Sequence, residues 1–246
     1  LSGNLIANSV TAEVIHSTVQ AGLDADTGVI TNPTAGVSLT ALSDARIIAL
    51  TAGVGVAGGV AANITGFGNA ITNRVDAAIT DGSLVQAGGQ VVQFARDASH
   101  ISSIGLGGAA SGGAAINGVV GYNEIANAVT AEISGSRVTS GDAVGLTALS
   151  EGNVFSFVGG VAGANLAAAQ LSLAKSCVQN TVTASIAGDE LRGSLVDAKG
   201  NVSLLARDAS TIDSIAIGLS GAAGGAVGAA ASENHVGSGI HTVVRQ

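Results

Sequence analysis

The chain has 246 residues, of which 47% are hydrophobic but only 2% are aromatic, and 37 are glycine. A core without large side chains is thin, which excludes a thick globule and favours Ala, Val, Ile and Gly packed between closely spaced sheets. The net charge of −8, with nine Lys and Arg, argues against nucleic acid and against an anionic membrane surface as the main partner. Cys177 is the single cysteine, so no internal disulfide can form.

The first predicted element is a strand at residues 4–14, where Val10, Ala12 and Val14 alternate with polar residues. Apolar residues at every second position predict a strand with one buried face and one wet face. The same pattern returns at residues 69–79, 123–133 and 176–186, and a further copy begins at residue 234. Self-similarity of this kind is typical of a repeat architecture.

The second asparagine of this pattern falls on the buried side of the strand. An inward asparagine destabilises a fold unless its amide is hydrogen-bonded. A ladder in which each amide bonds to the next repeat satisfies that need, whereas the alternative is that each asparagine caps a local turn. The predicted ladder consists of Asn8, Asn73, Asn127 and Asn180.

Further along each unit, an alanine column and a glycine column recur. The alanine column steps by 54, 53 and 58 residues (41 to 95, 95 to 148 and 148 to 206). Gln93 stands where the other units have a leucine. Equivalent residues of stacked repeats lie above one another, so both columns are predicted to be structural. They comprise Ala41, Ala95, Ala148 and Ala206, and Gly53, Gly107, Gly160 and Gly218.

Insertions are confined to one part of the unit. The step from Ile47 or its equivalent to the first position of the next unit is always 22 residues (47 to 69, 101 to 123, 154 to 176 and 212 to 234). Extra residues lie instead around 24–34 in the first unit and 188–192 in the fourth. This distribution predicts loops on one face of a repeat array.

The run of small residues at 219–231 fits either a strand or a helix. Its glycines destabilise an isolated helix by about 1 kcal/mol each relative to alanine, so we predict a strand. Small residues also let a second sheet approach closely. The alternative is a membrane protein in which residues 212–231 form a small-residue helix, although Asp213 lies inside that segment.

Together these patterns predict an all-β fold, a parallel β-helix-like β-solenoid of about four and a half repeats of ~53 residues with a thin Ala/Gly/Val/Ile core. Residues 1–246 are expected to form a single repetitive domain and to be a segment of a longer chain. Each unit makes either one broad coil or two unequal turns, since ~3.3 Å per residue allows both. The repeats are assigned approximately to residues 4–68, 69–122, 123–175 and 176–233, with a partial unit at 234–246.

Groups that could carry catalysis are few. His16 and His100 fall in different columns, while His235 and His241 are expected on one side of a surface strand. Cys177 falls on the wet side without a nearby histidine, which disfavours a nucleophile. No cofactor or metal site is predicted, because calcium-loop and phosphate-loop motifs are incomplete. We therefore expect that the chain is not an enzyme.

Paired carboxylates provide one alternative function. Asp97 and Asp208 follow Ala-Arg in two units, with Asp44 and Glu151 near the equivalent positions in the others. Carboxylate pairs cleave glycosidic bonds, so the alternative is a polysaccharide-active or polysaccharide-binding β-helix protein. The preferred interpretation is a solvated turn in which neighbouring arginines balance the charge, since Tyr122 and four Phe are too few for sugar platforms.

Three segments of the fourth unit carry a family resemblance: the Asn-x-x-x-Ala-x-Ile strand at 180–186, the alternating pattern at 196–206 and the small-residue run at 212–231. Over nearly the whole chain, such columns resemble the repeats of leukotoxin-family filamentous adhesins, very large bacterial surface proteins. The match departs at Gln93, and at Ser238 where the fifth unit lacks its second asparagine. The resemblance implies secretion across the bacterial envelope and display on the cell surface.

The expected function is therefore that of a structural or adhesive extracellular filament protein. A solenoid leaves open ends with unpaired backbone groups, so the first expected partner is the chain itself, as a homopolymer or by end-to-end stacking. A host or neighbouring-cell surface is the second. Neither nucleic-acid binding nor membrane insertion is expected.

Overall fold

The computed structural model describes residues 1–24, 26–189 and 192–245. Throughout these residues the regular structure is β-strand, so the predicted all-β class is confirmed. The sheets are parallel and follow one another as in a β-helix. Positions 25, 190 and 191, which fall in the two predicted insertions, and position 246, in the partial fifth unit, lie outside the described residues.

The strands fall into successive coils. The first coil contains β1 (Ser2–Ile6), β2 (Ser9–Ile15), β3 (Thr18–Ala21) and β4 (Val37–Ala57). The second contains β5 (Val60–Ile71), β6 (Arg74–Thr80), β7 (Leu84–Ala87) and β8 (Val91–Ser111). The third contains β9 (Ala114–Ile125), β10 (Ala128–Ser134), β11 (Arg137–Ser140), β12 (Val144–Ser150) and β13 (Asn153–Ala164). The fourth contains β14 (Ala167–Val178), β15 (Thr181–Ala187), β16 (Leu195–Ala198), β17 (Val202–Asp208) and β18 (Thr211–Ala222), and β19 (Gly225–Val236) and β20 (Gly239–Val244) follow.

Each strand pairs in parallel with the equivalent strand of the next repeat. The sheets have the orders β1-β5-β9-β14-β19, β2-β6-β10-β15-β20, β3-β7-β11-β16 and β17-β12-β8-β13-β18, with β4 paired to β8. In the first sheet the paired residues are 65, 54, 53 and 58 positions apart. Each repeat crosses each sheet once, and in the fourth sheet it does so either as one long strand (β4, β8) or as two successive segments (β12 and β13, β17 and β18). A unit therefore forms one broad coil and not two turns.

One side of each coil, which we call the core lobe, encloses an apolar interior. It consists of residues 9–21 and 37–43 of the first coil and the residues paired with them. In β10, Val129, Ala131 and Ile133 are fully buried, while the residues between them are only half-buried. Side chains of the other two sheets of the lobe join this interior and form one continuous apolar cluster. Removal of these side chains from water stabilises the lobe.

The other side of each coil is thin, and we call it the blade. It consists of residues 45–71, 99–125, 153–178 and 211–236. The chain runs outward along one strand, such as β13, and returns along the next, β14, which packs against it. The constant 22-residue spacing in the sequence spans this region. An insertion there would shift the returning strand out of register with its neighbours.

Both insertions lie in the core lobe, where they flank the sheet β3-β7-β11-β16 at two different corners of the coil. The first follows β3, and Leu23 and Ile30 form an antiparallel bridge within it. Asp24 accepts hydrogen bonds there from the hydroxyl and the backbone N–H of Thr27. These bonds favour the charged form and lower the pKa of Asp24. The second insertion precedes β16.

The small-residue run at 219–231 forms the end of β18 and most of β19, which confirms the predicted strand. The helical alternative for residues 212–231 is therefore wrong. Across the described part of the chain, there is no helix with the length and hydropathy to cross a membrane.

Candidate functional site

The predicted asparagine column lies where the core lobe meets the blade. Each Oδ1 accepts a hydrogen bond from the backbone N–H of the asparagine one coil earlier, and the distance from Asn8 N to Asn73 Oδ1 is 3.1 Å. The distances from Asn73 N to Asn127 Oδ1 and from Asn127 N to Asn180 Oδ1 are 2.8 and 3.0 Å. The side chains thus bond from coil to coil through the backbone and not amide to amide.

The amide nitrogens of this column bind a carboxylate. Asp97 is fully buried. Asn73 Nδ2 donates to its Oδ2 at 2.9 Å, and Asn127 Nδ2 donates to its Oδ1 at 2.6 Å. The Ser99 hydroxyl donates to the same Oδ1 at 2.5 Å. These three donors supply the polar environment that a buried carboxylate requires.

A similar network recurs two coils on. Asp208 accepts hydrogen bonds from Asn180 Nδ2 at 3.3 Å and from the hydroxyl of Ser238, which stands in place of the fifth asparagine. The equivalent residue in the coil between the two networks is Ser150. Carboxylates in adjacent coils would stand only ~4.8 Å apart and would repel one another. Alternation of Asp with Ser avoids that repulsion.

The predicted solvated turn at Asp97 and Asp208 is therefore wrong. Asp97 lies two residues after the buried Ala95 in β8, so it shares the inward-facing side. Arg96 faces outward, where its Nε lies 2.9 Å from Glu151 Oε2. The sequence holds the signal that would have found the network: an Asp two residues after the column alanine and a Ser two residues further on. Asp97 is fully buried and Asp208 is half-buried, and both accept hydrogen bonds from asparagine and serine side chains of the chain itself.

The alanine column lies within the core lobe. Its members stack in register from coil to coil. Ala41, Ala95 and Ala148 are buried, and Ala206 packs against the same apolar cluster from the last coil. A second buried alanine column, Ala77, Ala131 and Ala184, joins that cluster. Two columns of such small side chains keep the lobe narrow.

The glycine column lines the inside of the blade, where Gly53, Gly107, Gly160 and Gly218 stack in register. An amide ladder packs against it: Asn63 Nδ2 donates to Asn117 Oδ1 at 2.6 Å, and Asn117 Nδ2 donates to Gln170 Oε1 at 2.5 Å. A Cβ on Gly107 would lie 2.5 Å from Val119 Cγ2 and 2.8 Å from Asn117 Oδ1. Only glycine permits this close approach of the two sheets.

A second amide ladder involves the first asparagine of each unit. Asn4 Nδ2 donates to Asn69 Oδ1 at 2.8 Å, and Asn69 Nδ2 donates to Asn123 Oδ1 at 2.9 Å. The ladder ends on the Ser103 hydroxyl, 2.9 Å from Asn123 Nδ2. Amide-to-amide stacking therefore occurs at the first asparagine of each unit, four residues before the second asparagine, where it was predicted.

The coil at the C-terminal end of the stack exposes what the inner coils bury. Ile240 and Val244 in β20 are 50% and 69% exposed, while Val182 and Ile186, their partners in β15, are 0% and 6% exposed. β20 is the outermost strand of its sheet among the described residues, so one side of its backbone has no strand beside it. This end combines an apolar cross-section with the hydrogen-bonding groups of a sheet edge.

The titratable side chains do not converge. Cys177 lies on the outward side as predicted but is buried, and burial raises the pKa of its thiol, which disfavours the nucleophilic thiolate. His235 and His241 lie on different strands, β19 and β20, and not on one side of a single strand. Within the residues that the structure describes, no group of three or more His, Cys, Asp or Glu is placed to hold a metal ion.

The chain was also compared with known proteins. No family model, no curated protein and no solved structure matches it.

Proposed function

We propose that the chain is a β-solenoid of about four and a half ~53-residue repeats with a thin Ala/Gly/Val/Ile core, and that it acts as a structural or adhesive filament protein. Its partner is further coils of the same kind, which stack end to end on the exposed coil and come from the same chain or from another copy. No reaction and no cofactor form part of this proposal.

The observation that carries the proposal is the uniform parallel register. Every sheet adds the next repeat in the same direction and at the same residue columns. The exposed end of the stack therefore presents the same residue columns to a further coil. The apolar residues at that surface, including Ile240 and Val244, favour a partner that covers them.

The resemblance to filamentous adhesins supports an extracellular place on the bacterial cell surface, with a host or neighbouring-cell surface as the second partner. The narrow core and the ladders suit a long shaft, because each coil contacts only its neighbours and length can grow without a change in cross-section.

The proposal is tested by electron microscopy and sedimentation velocity in detergent-free buffer over a range of concentrations. We expect filaments whose length increases with concentration. Val202→Asp, at the exposed end of the core lobe, should abolish them because it buries a charge at the stacking surface. Thr181→Lys, on the outward side of the same lobe, is the matched control and should leave them unchanged. A wild-type chain that stays monomeric throughout would refute end-to-end stacking.

A further inference from the structure

The blade has two outer faces, and the one formed by β4, β8, β13 and β18 is apolar although it is exposed, whereas the exposed side of a sheet is usually polar. Along β4 the outward residues Leu50, Val54 and Val56 are 72%, 78% and 76% exposed. The strands stacked on β4 continue the same rows across four coils. The sixteen positions of this surface, which we call the blade face, are Leu50, Ala52, Val54, Val56, Ile104, Leu106, Gly108, Ala110, Phe157, Gly159, Val161, Gly163, Ile215, Ile217, Leu219 and Gly221.

The blade face carries no charged and no hydrogen-bonding side chain, while the interior behind it combines an amide ladder and glycines with the buried side chains of Phe67, Val119 and Val158. The aromatic ring of Phe157 lies against Gly159 on the same face: a Cβ on Gly159 would lie only 2.9 Å from Phe157 Cε1. The outward side of the core lobe differs: β10 presents Thr130 and Glu132 there. A flat apolar surface that spans the whole stack marks an interaction site.

We propose that the blade face binds the blade face of a second copy, so that stacked filaments associate side by side. This inference rests on the proposed filament, and it adds a lateral contact to the axial one. A second copy fits because the ridges and glycine gaps recur at the coil spacing of ~4.8 Å. A partner with the same spacing can interdigitate along the whole length, as in the dry interface of paired sheets.

The area of the face explains why lateral and axial association go together. Four coils at ~4.8 Å and four alternate positions at ~6.6 Å give a face of about 500 Å². A standard stable interface uses about 800 Å² per partner. One chain thus offers less than a stable pair needs, and each added coil enlarges the contact. We therefore expect weak lateral pairs of single chains and strong pairing of stacked filaments.

Disulfide trapping tests the contact without any need for filaments. In a Cys177→Ala background, Leu106→Cys or Val161→Cys places a thiol near the centre of the blade face. Thr130→Cys places one on the outward side of the core lobe as the control. Under mild oxidation at high protein concentration, we expect covalent dimers from the two blade-face variants and not from the control. Equal trapping in all three, or no trapping at the blade face, would overturn the inference.

Microscopy of Leu106→Lys/Val161→Lys separates the two associations. We expect single filaments of unchanged length where the wild type forms bundles, since the stacking surface is intact. Wild-type filaments that are already single would overturn lateral pairing but not the proposed end-to-end stacking. Loss of all filaments in Val202→Asp tests the stacking alone. Flotation with phosphatidylcholine vesicles tests a lipid surface as the alternative occupant. If the wild type floats with the vesicles and the double variant does not, the blade face binds lipid, and the proposal that it binds a second copy is overturned.

Discussion

The core lobe and the blade belong to the same coils but are stabilised in different ways. The core lobe has apolar side chains inside, such as Val129 and Ile133, and a largely polar exterior. The blade has amide ladders and glycines inside together with smaller apolar clusters, such as the one around Ile101 and Ile125, and it also has leucine, isoleucine and valine outside. The hydrophobic effect therefore stabilises both regions, but the blade depends in addition on hydrogen bonds between coils and on the close contact of two sheets.

This difference shows why the two regions tolerate change differently. An apolar interior accepts swaps of similar volume, and the core lobe also accommodates both insertions. The ladders of the blade need a donor and an acceptor at the same column in neighbouring coils, and its glycines need a fixed distance between sheets. The constant length of the blade follows from these two requirements.

The largest expected effect is at the junction of the two regions. Asn127→Leu removes a donor from the buried Asp97 carboxylate and the acceptor for Asn73 N–H. We expect a loss of about 3 to 5 kcal/mol in the free energy of unfolding, because two buried polar groups, the Asp97 carboxylate and the Asn73 N–H, each lose a hydrogen bond. Urea unfolding at matched protein concentration measures it. Asn153→Leu, which removes only the exposed bond to Thr211, should change stability by less than about 0.5 kcal/mol.

Stability equal in the two leucine variants would show that the junction network does not stabilise the coil, and the distinction between the two regions would then lose its physical basis.

A pair of adjacent glycines tests the close approach inside the blade. Gly107→Ala should destabilise by about 2 to 3 kcal/mol because the added Cβ overlaps Val119 and Asn117. Gly108→Ala faces outward, with its nearest neighbours at 3.8 Å, and should stabilise by about 0.5 kcal/mol or more by reducing the entropy of the unfolded chain. Opposite signs in thermal unfolding support the account, and equal losses would contradict it.

A large polar side chain interrupts the apolar interior of the core lobe. Gln93 is fully buried, and among the described residues neither Nε2 nor Oε1 has a hydrogen-bond partner. Its neighbours in the column are Leu39 and Leu146. Gln93→Leu should stabilise the chain by about 1 to 2 kcal/mol, because an unsatisfied amide is replaced by a matching apolar group. A destabilised variant in urea unfolding would mean that this amide has a role that the packing does not show.

The smallest expected effect is on the outward side of the core lobe and depends on pH. Burial, together with Asp76 and Glu13, raises the pKa of Glu132 above its ordinary value of 4.5. The charged form is thus disfavoured in the folded state, so stability is lost as the pH rises through the raised pKa. Glu132→Gln should be more stable than the wild type at neutral pH and equal to it below about pH 4. A difference that stays constant across this range would contradict the cause.

The sequence predicted the columns and most of the strands, because both depend on period-two alternation and on repetition. The single strand predicted at residues 4–14 is instead two strands, β1 and β2, which are separated at the column asparagine Asn8. It did not predict the polar networks inside the coils. Asp97 was placed in a solvated turn because acidic residues next to arginine usually face water, although its position relative to Ala95 pointed inward. The amide ladders formed by Asn63 with Asn117 and by Asn4 with Asn69 depend on which strands face each other, and one repeat by itself does not contain that information.

A crystal structure of the chain tests the central claim most directly. The account predicts that Asn73, Asn127 and Asn180 stack in neighbouring parallel strands at ~4.8 Å, with Gly107 inside the blade and Leu106 outside. Equivalent asparagines two strand spacings apart would contradict the one-coil repeat. Leu106 turned into the blade would contradict the apolar blade face on which the proposed lateral contact depends.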